Sequence, residues 1–319
     1  MGAGSGYKSP ARTNEWTWRH CPRYTSCSGQ KLDLETINMN TTAANAPVLE
    51  EDAAPSQTEY MKSLRTGLRV LLCFENSKRD LGVTDIALRT GLAKSQVSKI
   101  MSALVDSGLV EQDPATRTYH IGQRSYLLGS RYTTHDTLCQ AATPVMRELL
   151  NSTGHSIRLS IPHRDQSLYL IGLEGPQFID TGWHSGNCVP MGASSAGRIL
   201  IAFMEPAERE RILNIAVPAI TPETVTDMAE IAKIVQQGRE TGYVVQRNET
   251  SIGLGVISVP LFTENQKVIG ALGAAFPAHF LSTKEEQDLI RALHASARSI
   301  SQRLGCAVYP VRALPPAAS

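Results

Sequence analysis

The spacing of hydrophobic positions divides the chain into segments of different structure. Over residues 59–107, apolar residues recur at intervals of three and four, which is typical of amphipathic helices. Two short strand candidates, Leu109–Gln112 and Thr118–Ile121, then flank the turn sequence DPATR. Residues 123–152 return to helical spacing, and strand-like and helix-like stretches follow up to residue 304.

The first helical segment predicts a helix-turn-helix. After a helix over about 59–75, Thr84 offers an N-cap and Asp85 suits the positive end of a second helix, which Gly91 ends. A third helix is predicted from about Ala93 to Ser107. Two short helices joined by a tight, glycine-containing turn form a helix-turn-helix, and the two strands after it form a wing.

The C-terminal part is predicted to be an α+β domain in which an antiparallel sheet carries helices on its faces. The predicted strands are His155–Ile161, Leu168–Leu173, Phe178–His184, Tyr243–Gln246, Val256–Phe262 and Val268–Phe276. The predicted helices cover about 193–204, 206–215, 226–241 and 283–304.

The predicted domains follow from these segments. They are a disordered extension (1–57), a winged helix-turn-helix domain (58–122), a helical connector (123–152), an α+β domain (153–306) and a disordered tail (307–319). Residues 1–57 have no sustained period and are rich in Ser, Thr, Asn, Gly and Pro, which favours disorder. Alternatively, translation begins downstream, at Met39 or Met61.

Charge separates the two domains of this 319-residue chain, whose net charge is only +1. Residues 60–135 hold 11 Lys and Arg against 6 Asp and Glu, a balance of +5, so the remainder sums to −4. A basic module beside an acidic one indicates nucleic-acid binding by the first. No apolar run approaches the roughly 18 residues of a membrane span, and no secretory signal is present, so no membrane partner is expected.

The six cysteines form neither a CxxC pair nor a regular framework, which favours unpaired thiols in a reducing, cytoplasmic environment. His20, Cys21 and Cys27 are close in sequence, but no fourth ligand is near them. We therefore expect neither a metal nor a cofactor.

The third predicted helix carries a face suited to DNA. Its polar side lacks acidic residues, whereas an ordinary solvated face would mix in Glu. Near a recognition-helix N-terminus, Gln96 could pair with adenine and Lys99 with guanine. Lys94, Arg117 and Thr84 are better suited to phosphates. The predicted DNA-binding residues are Thr84, Lys94, Ser95, Gln96, Ser98, Lys99 and Arg117.

With these residues placed, the chain resembles the IclR family of bacterial transcriptional regulators over about residues 60–304. The matching stretches, in order, are MKSLRTGLRVLLCF, VTDIALRTGLAKSQVSKIMSALVDSGLVEQDPATRTYHIG, VPMGASSAGRILIAF, TGYVVQ, and GLGVISVPLF followed by GALGAAFP. The resemblance implies a GAF-like effector domain, operator DNA bound by a homodimer or a dimer of dimers, and a small organic effector. The family usually has proline where this chain has Ala93.

The same resemblance suggests an effector pocket. Small residues at the start of the helix after GASSAGR leave backbone amides open to an anion, so Ser195 and Ala196 are expected to hold a carboxylate; the alternative is a plain serine N-cap. The other implied contacts are Phe178, Thr181, Val189, Gln246, Val256, Gly273 and Ala275. Where the family often has an acid, Cys and Ser, this chain has Gln246, Val256, Gly273 and Ala275. A drier pocket, and an effector larger and more apolar than a two- or three-carbon keto acid, are therefore expected.

Two other function classes remain open. A serine hydrolase would use Ser194 or Ser195, but the G-x-S-x-G spacing is absent and Pro190 separates any strand from these residues; no catalytic residue is predicted. An effector-sensing protein could instead act on a protein partner, although the basic helix-turn-helix disfavours this.

Overall fold

The computed structural model describes residues 57–75, 77, 79–176, 184–279 and 281–311. The predicted disordered segments therefore lie largely outside the described residues, as does most of the predicted strand Phe178–His184. No helix in the described ranges is long and apolar enough to cross a membrane.

The N-terminal part is a winged helix-turn-helix, as the periodicity predicts. Its elements are α1 (Gln57–Leu71) with a 3-10 turn (Leu72–Phe74), α2 (Val83–Thr90), α3 (Lys94–Asp106), β1 (Val110–Gln112) and β2 (Tyr119–Ile121). The two strands pair antiparallel, and Leu81 bridges to Tyr119 as a short third member of this sheet. One core forms from all these elements, with Val70, Ile86, Val97 and Met101 fully buried.

Glycines end the helices of this motif, as predicted. Gly91, with φ 68°, ends α2, and Gly108, with φ 71°, follows α3. The predicted N-cap Thr84 is wrong, because α2 begins two residues earlier, with Gly82 as its N-cap. Asp85 explains the shift: its carboxylate accepts a hydrogen bond from the Gly82 amide at 3.0 Å, so it caps the helix from within the first turn.

The connector consists of two helices, α4 (Gln123–His135) and α5 (Thr137–Thr153), which meet at Asp136. Asp136 caps α5 by accepting a hydrogen bond from the Cys139 amide at 2.9 Å. Gly154, with φ 71°, ends α5, as its position in the sequence predicts.

The C-terminal part holds a six-stranded antiparallel sheet with the strand order β5-β4-β3-β8-β7-β6. The strands are β3 (Ser156–His163), β4 (Gln166–Leu173), β5 (Cys188–Pro190), β6 (Val244–Arg247), β7 (Leu254–Phe262) and β8 (Val268–Pro277). The helices are α6 (Ser195–Phe203), α7 (Pro206–Leu213), α8 (Met228–Thr241) and α9 (Thr283–Arg303). The molecule is therefore α+β, and its C-terminal domain is GAF-like.

The two faces of this sheet have different neighbours. Alternate residues such as Leu159, Ile257 and Leu272 pack with α5 and α9 in the largest core cluster. At the β6 end of the opposite face, Val244 packs with α6 and α8 in a second cluster. The remainder of this second face carries residues predicted to bind the effector, and we call it the effector face.

Two details of the C-terminal part differ from the sequence prediction. Strand β5 was not predicted, because it has only three residues and ends in Pro190 at the edge of the sheet. The predicted tail begins at residue 307, yet the chain still packs as far as Val311. Tyr309 donates a hydrogen bond to the Pro260 carbonyl at 2.9 Å, and Val311 is buried against Gly242.

Candidate DNA-binding surface and effector pocket

Helix α3 presents the predicted DNA-binding residues to solvent. Its buried side, with Val97 and Met101, packs into the N-terminal core and fixes how the helix is rotated. The opposite side holds the exposed side chains of Lys94, Ser95, Gln96, Ser98 and Lys99 in the first two turns. The first turn contains no acidic residue, so nothing on the helix itself opposes a phosphate there.

Helix α2 lies next to α3 across the Gly91 turn. The exposed Thr84 lies in its first turn, where helix amides and the positive end of the dipole favour a phosphate oxygen. The neighbouring Asp85 is held by the Gly82 amide and by Arg79, whose guanidinium lies 3.1 Å away. Both interactions lower the pKa of Asp85, the backbone hydrogen bond more strongly.

The wing places Arg117 at the tip of its hairpin. Asp113 organises this turn, because its carboxylate accepts hydrogen bonds from the amides of Ala115 and Thr116 at 2.7 and 3.0 Å. These bonds, that from Thr116 foremost, lower the pKa of Asp113. Arg117 is exposed and has φ 60°, a backbone conformation that turns the chain back into β2.

The register of the sheet brings four predicted effector residues together. Gln246 on β6, Val256 on β7 and Ala275 on β8 are direct cross-strand neighbours in one row across the effector face. In the next row on the same face, Gly273 on β8 pairs with Ser258 on β7. The four positions therefore form one continuous surface, although they are distant in sequence.

The N-terminus of α6 abuts this surface, and its polar groups bond within the protein. The Ser195 amide donates to the Gln246 side-chain carbonyl, and the Ser195 hydroxyl lies 2.9 Å from that of Ser258. Ser194 is the N-cap, whose hydroxyl accepts from the Gly197 amide at 3.0 Å. A carboxylate could use the amides of Ser195 and Gly197 only by displacing these partners.

The same contacts bear on a hydrolytic role for the serines. The Ser194 hydroxyl lies 3.0 Å from that of Ser167, and both serines are buried. Among the described residues, neither Ser194 nor Ser195 has a histidine as a hydrogen-bond partner, whereas a serine nucleophile needs a base within reach. Strand β5 ends at Pro190, and a 3-10 turn over Met191–Ala193 separates it from Ser194.

The other predicted effector residues are less clearly placed at the pocket. Val189 on β5 packs against Tyr169 and Ala193 in a small apolar cluster. Ala196 packs into the core between α6 and α8. Phe178 and Thr181 lie outside the described residues.

Sequence reasoning missed several polar residues of this face. Arg158 on β3 pairs with Gly273, so it extends the second row, and its guanidinium lies 5.5 Å from the centre of the Tyr169 ring. Burial raises the pKa of Tyr169, and the positive charge of Arg158 opposes that rise. Thr250 accepts a hydrogen bond from the Gln246 side-chain amide at 2.9 Å. With Ser258, these groups make the pocket more polar than the sequence predicted.

A buried ion pair fixes α6 beside the pocket. The Arg198 guanidinium donates to both carboxylate oxygens of Glu249, at 2.9 and 2.6 Å, and to the Gly192 carbonyl at 2.7 Å. Glu249 also accepts from the Val225 amide at 3.2 Å. Because Arg198 is fully buried, this bidentate pair ties α6 rigidly to the loop between β6 and β7.

Comparison with known families identifies both halves of the chain. A family model described as the IclR helix-turn-helix domain matches residues 63–114. A second, described as the C-terminal part of the bacterial transcriptional regulator IclR, matches residues 130–302, more than half of the chain.

Individual relatives agree with these matches. The transcriptional repressor AllR of Escherichia coli K12 is 26% identical over 262 residues, which cover 81% of this chain and 96% of AllR. An IclR transcriptional regulator from Silicibacter sp. TM1040 superposes with a TM-score of 0.68 at 25% identity, covering 78% of this chain and 98% of that structure. An IclR homologue from Microbacterium hydrocarbonoxydans, crystallised with 4-hydroxybenzoate, shares the fold with a TM-score of 0.64 at 24% identity, covering 76% and 98%.

Proposed function

Since the chain belongs to the IclR family of bacterial transcriptional regulators, we propose that α3 reads its operator and that the effector face binds a small organic acid which alters this reading. The chain is thus a DNA-binding transcriptional regulator of the IclR type. The observation that carries the assignment of residues is the exposed, acid-free N-terminal half of α3, beside a wing tipped by Arg117.

The exposed residues of α3 divide by chemistry into two roles. Gln96 has an amide that can donate to and accept from one base edge, and Lys99 can donate to guanine. Lys94, Arg117 and Thr84 supply charge or a hydroxyl to the phosphates that flank the groove. The serines at positions 95 and 98 suit either role.

Replacing Gln96 with alanine should weaken binding to the specific site by about 1–3 kcal/mol and leave binding to random DNA nearly unchanged. The reason is that the amide distinguishes bases and carries no charge for phosphates. Fluorescence anisotropy with a labelled duplex from upstream of the gene, and with a scrambled duplex, measures both affinities.

Lys94→Ala on the same helix is the matched control. It should weaken binding to both duplexes alike and reduce the salt dependence by about one released counterion. Equal losses for Gln96→Ala on the two duplexes would show that Gln96 contacts only the DNA backbone.

The effector proposal rests on the polar and apolar groups of the effector face. Leu254, Val256 and Ala275 form a buried apolar patch, next to which Gln246 and the serine hydroxyls supply hydrogen-bonding groups. An organic acid with an apolar body fits such a surface better than a very small polar acid, which would leave the patch without a partner. The 4-hydroxybenzoate of the Microbacterium homologue is a molecule of this class and a suitable probe.

A homodimer or dimer of dimers is supported by exposed apolar side chains on two helices. Met61, Leu64 and Leu68 on α1 are each about half exposed or more. Tyr126, Leu127 and Leu128 on α4 are between 61% and 75% exposed. Apolar surfaces of this extent are typical of protein–protein contacts. Pairing through α1 and α4 would set the distance between two α3 helices, and an effector that shifts this distance would change operator affinity.

A further inference from the structure

The effector face contains one strongly basic side chain, Arg158, in the middle of the sheet. Arg158 is only 7% exposed, although arginine is seldom buried without a specific role. Its direct cross-strand neighbours are glycines on both sides, Gly172 on β4 and Gly273 on β8. Because neither glycine has a side chain, the sheet leaves room beside the guanidinium where other residues would fill the row.

The position of Arg158 within the row relates it to the rest of the pocket. Gly273 separates it from Ser258, whose hydroxyl reaches that of Ser195 at the start of α6. Adjacent strands are about 4.8 Å apart, so the backbones of Arg158 and Ser258 are separated by about 10 Å. The apolar patch of Val256 and Ala275 lies in the neighbouring row. A cation therefore lies at one side of a surface whose centre is apolar, at a distance that a small organic acid spans.

The second buried arginine of this domain cannot serve the same purpose. Arg198 already donates to both oxygens of Glu249 and to the Gly192 carbonyl. The α6 amides of Ser195 and Gly197 are likewise bonded to Gln246 and Ser194. The Tyr169 ring, by contrast, supports the Arg158 guanidinium through its face. A guanidinium stacked in this way keeps its N–H groups in the plane where a carboxylate binds with two hydrogen bonds.

We infer that Arg158, supported by Tyr169, binds the carboxylate of the effector, whose apolar body lies on the patch of Val256 and Ala275. The effector class is therefore a monocarboxylate with an aromatic or aliphatic body. This inference rests on the proposed function, since it names the chemistry of the effector that the regulator senses. It places the carboxylate on β3 and not at the α6 N-terminus, where the sequence analysis expected it. The exposed Glu174 lines the same small cavity as Arg158 and would disfavour a second negative charge on the ligand.

The test compares each acid with its neutral amide, which has nearly the same shape. We would titrate the full-length chain by calorimetry with 4-hydroxybenzoate and hexanoate, and with the corresponding primary amides. The wild type should bind at least one acid about 10- to 100-fold more tightly than its amide, as hydrogen bonds to a charged partner imply. Arg158→Met should remove this preference by weakening the acid alone. Arg158→Lys keeps the charge but not the two-point geometry, so part of the preference should remain.

Arg164→Met is the matched control, because Arg164 is exposed in the turn of the same β3–β4 hairpin. It should leave both affinities unchanged. If Arg158→Met folds and retains the acid preference, or if the wild type binds none of the acids, the inference is overturned. If Arg158→Met does not fold, Arg158→Lys and the wild-type preference decide the matter.

Binding of upstream DNA by the same preparations separates this inference from the proposed function. Ligand-free Arg158→Met should bind DNA like the wild type, since Arg158 lies in the effector domain. Specific DNA binding without any acid binding would refute the carboxylate site and leave the regulator intact. Acid binding through Arg158 without specific DNA binding would contradict the proposed function instead.

Discussion

Replacing Glu249 with alanine should destabilise the effector domain by about 3–5 kcal/mol, because it leaves the fully buried guanidinium of Arg198 without its carboxylate. Only the Gly192 carbonyl would remain as a printed partner of that charge. Urea unfolding followed by circular dichroism measures the loss as a lower midpoint. Since the pair ties α6 to the loop after β6, the variant should also lose its response to effector before it unfolds.

Two further variants separate buried charge from general damage. Glu230→Ala removes the partner of Lys233 in an exposed pair on α8 and should change stability little. The double variant Arg198→Met with Glu249→Leu removes both charges and should regain much of the lost stability, because no unpaired ion stays buried. A Glu249→Ala variant as stable as Glu230→Ala would contradict the view of this pair as a clamp.

Replacing Gly197 with alanine should cost about 2 kcal/mol, although alanine ordinarily favours a helix over glycine. A methyl group at Gly197 would overlap the backbone of Met191, in the 3-10 turn that precedes α6. Backbone cannot swing aside as a side chain can, so the first turn of α6 must shift. That turn carries Ser195, whose bonds to Gln246 and Ser258 should loosen with it, and acid binding should weaken in parallel.

Gly129→Ala supplies the comparison for this variant. Gly129 lies within α4, and an added methyl group would meet no atom within 4 Å. The same substitution there should be neutral or stabilising by up to about 1 kcal/mol. Thermal unfolding of the two variants measures the difference, and a Gly197→Ala variant at least as stable as Gly129→Ala would mean that α6 is not held against Met191.

The N-terminal module was predictable because its signals are local. The apolar spacing of α3 fixed which side is buried, and Gly91 and Gly108 marked where the helices end. The exposed and buried faces of α3 follow directly from that spacing. The cap of α2 was misplaced because both Thr84 and Asp85 are acceptable near a helix start, and the choice depended on which side chain could reach back to Gly82.

The effector face was predictable only in part, because its contacts are formed between distant segments. Arg198 and Glu249 are 51 residues apart, and no local pattern pairs them. Arg158 in the sequence SIRLSI reads as an ordinary solvent-facing strand residue. Only the register of β3 against β4 and β8 places it between two glycines and beside the predicted pocket. The family resemblance supplied Gln246, Val256, Gly273 and Ala275, but it could not supply residues specific to this chain.

The central claim is that α3 recognises a particular DNA sequence and that an organic acid modulates this recognition. The most direct measurement is anisotropy titration of a labelled duplex from upstream of the gene and of its scrambled counterpart, with and without 4-hydroxybenzoate, at several salt concentrations. We predict that the upstream duplex binds at least about 10³-fold more tightly than the scrambled one, and that the acid changes only this specific affinity. Equal affinity for the two duplexes at every salt concentration would contradict the claim.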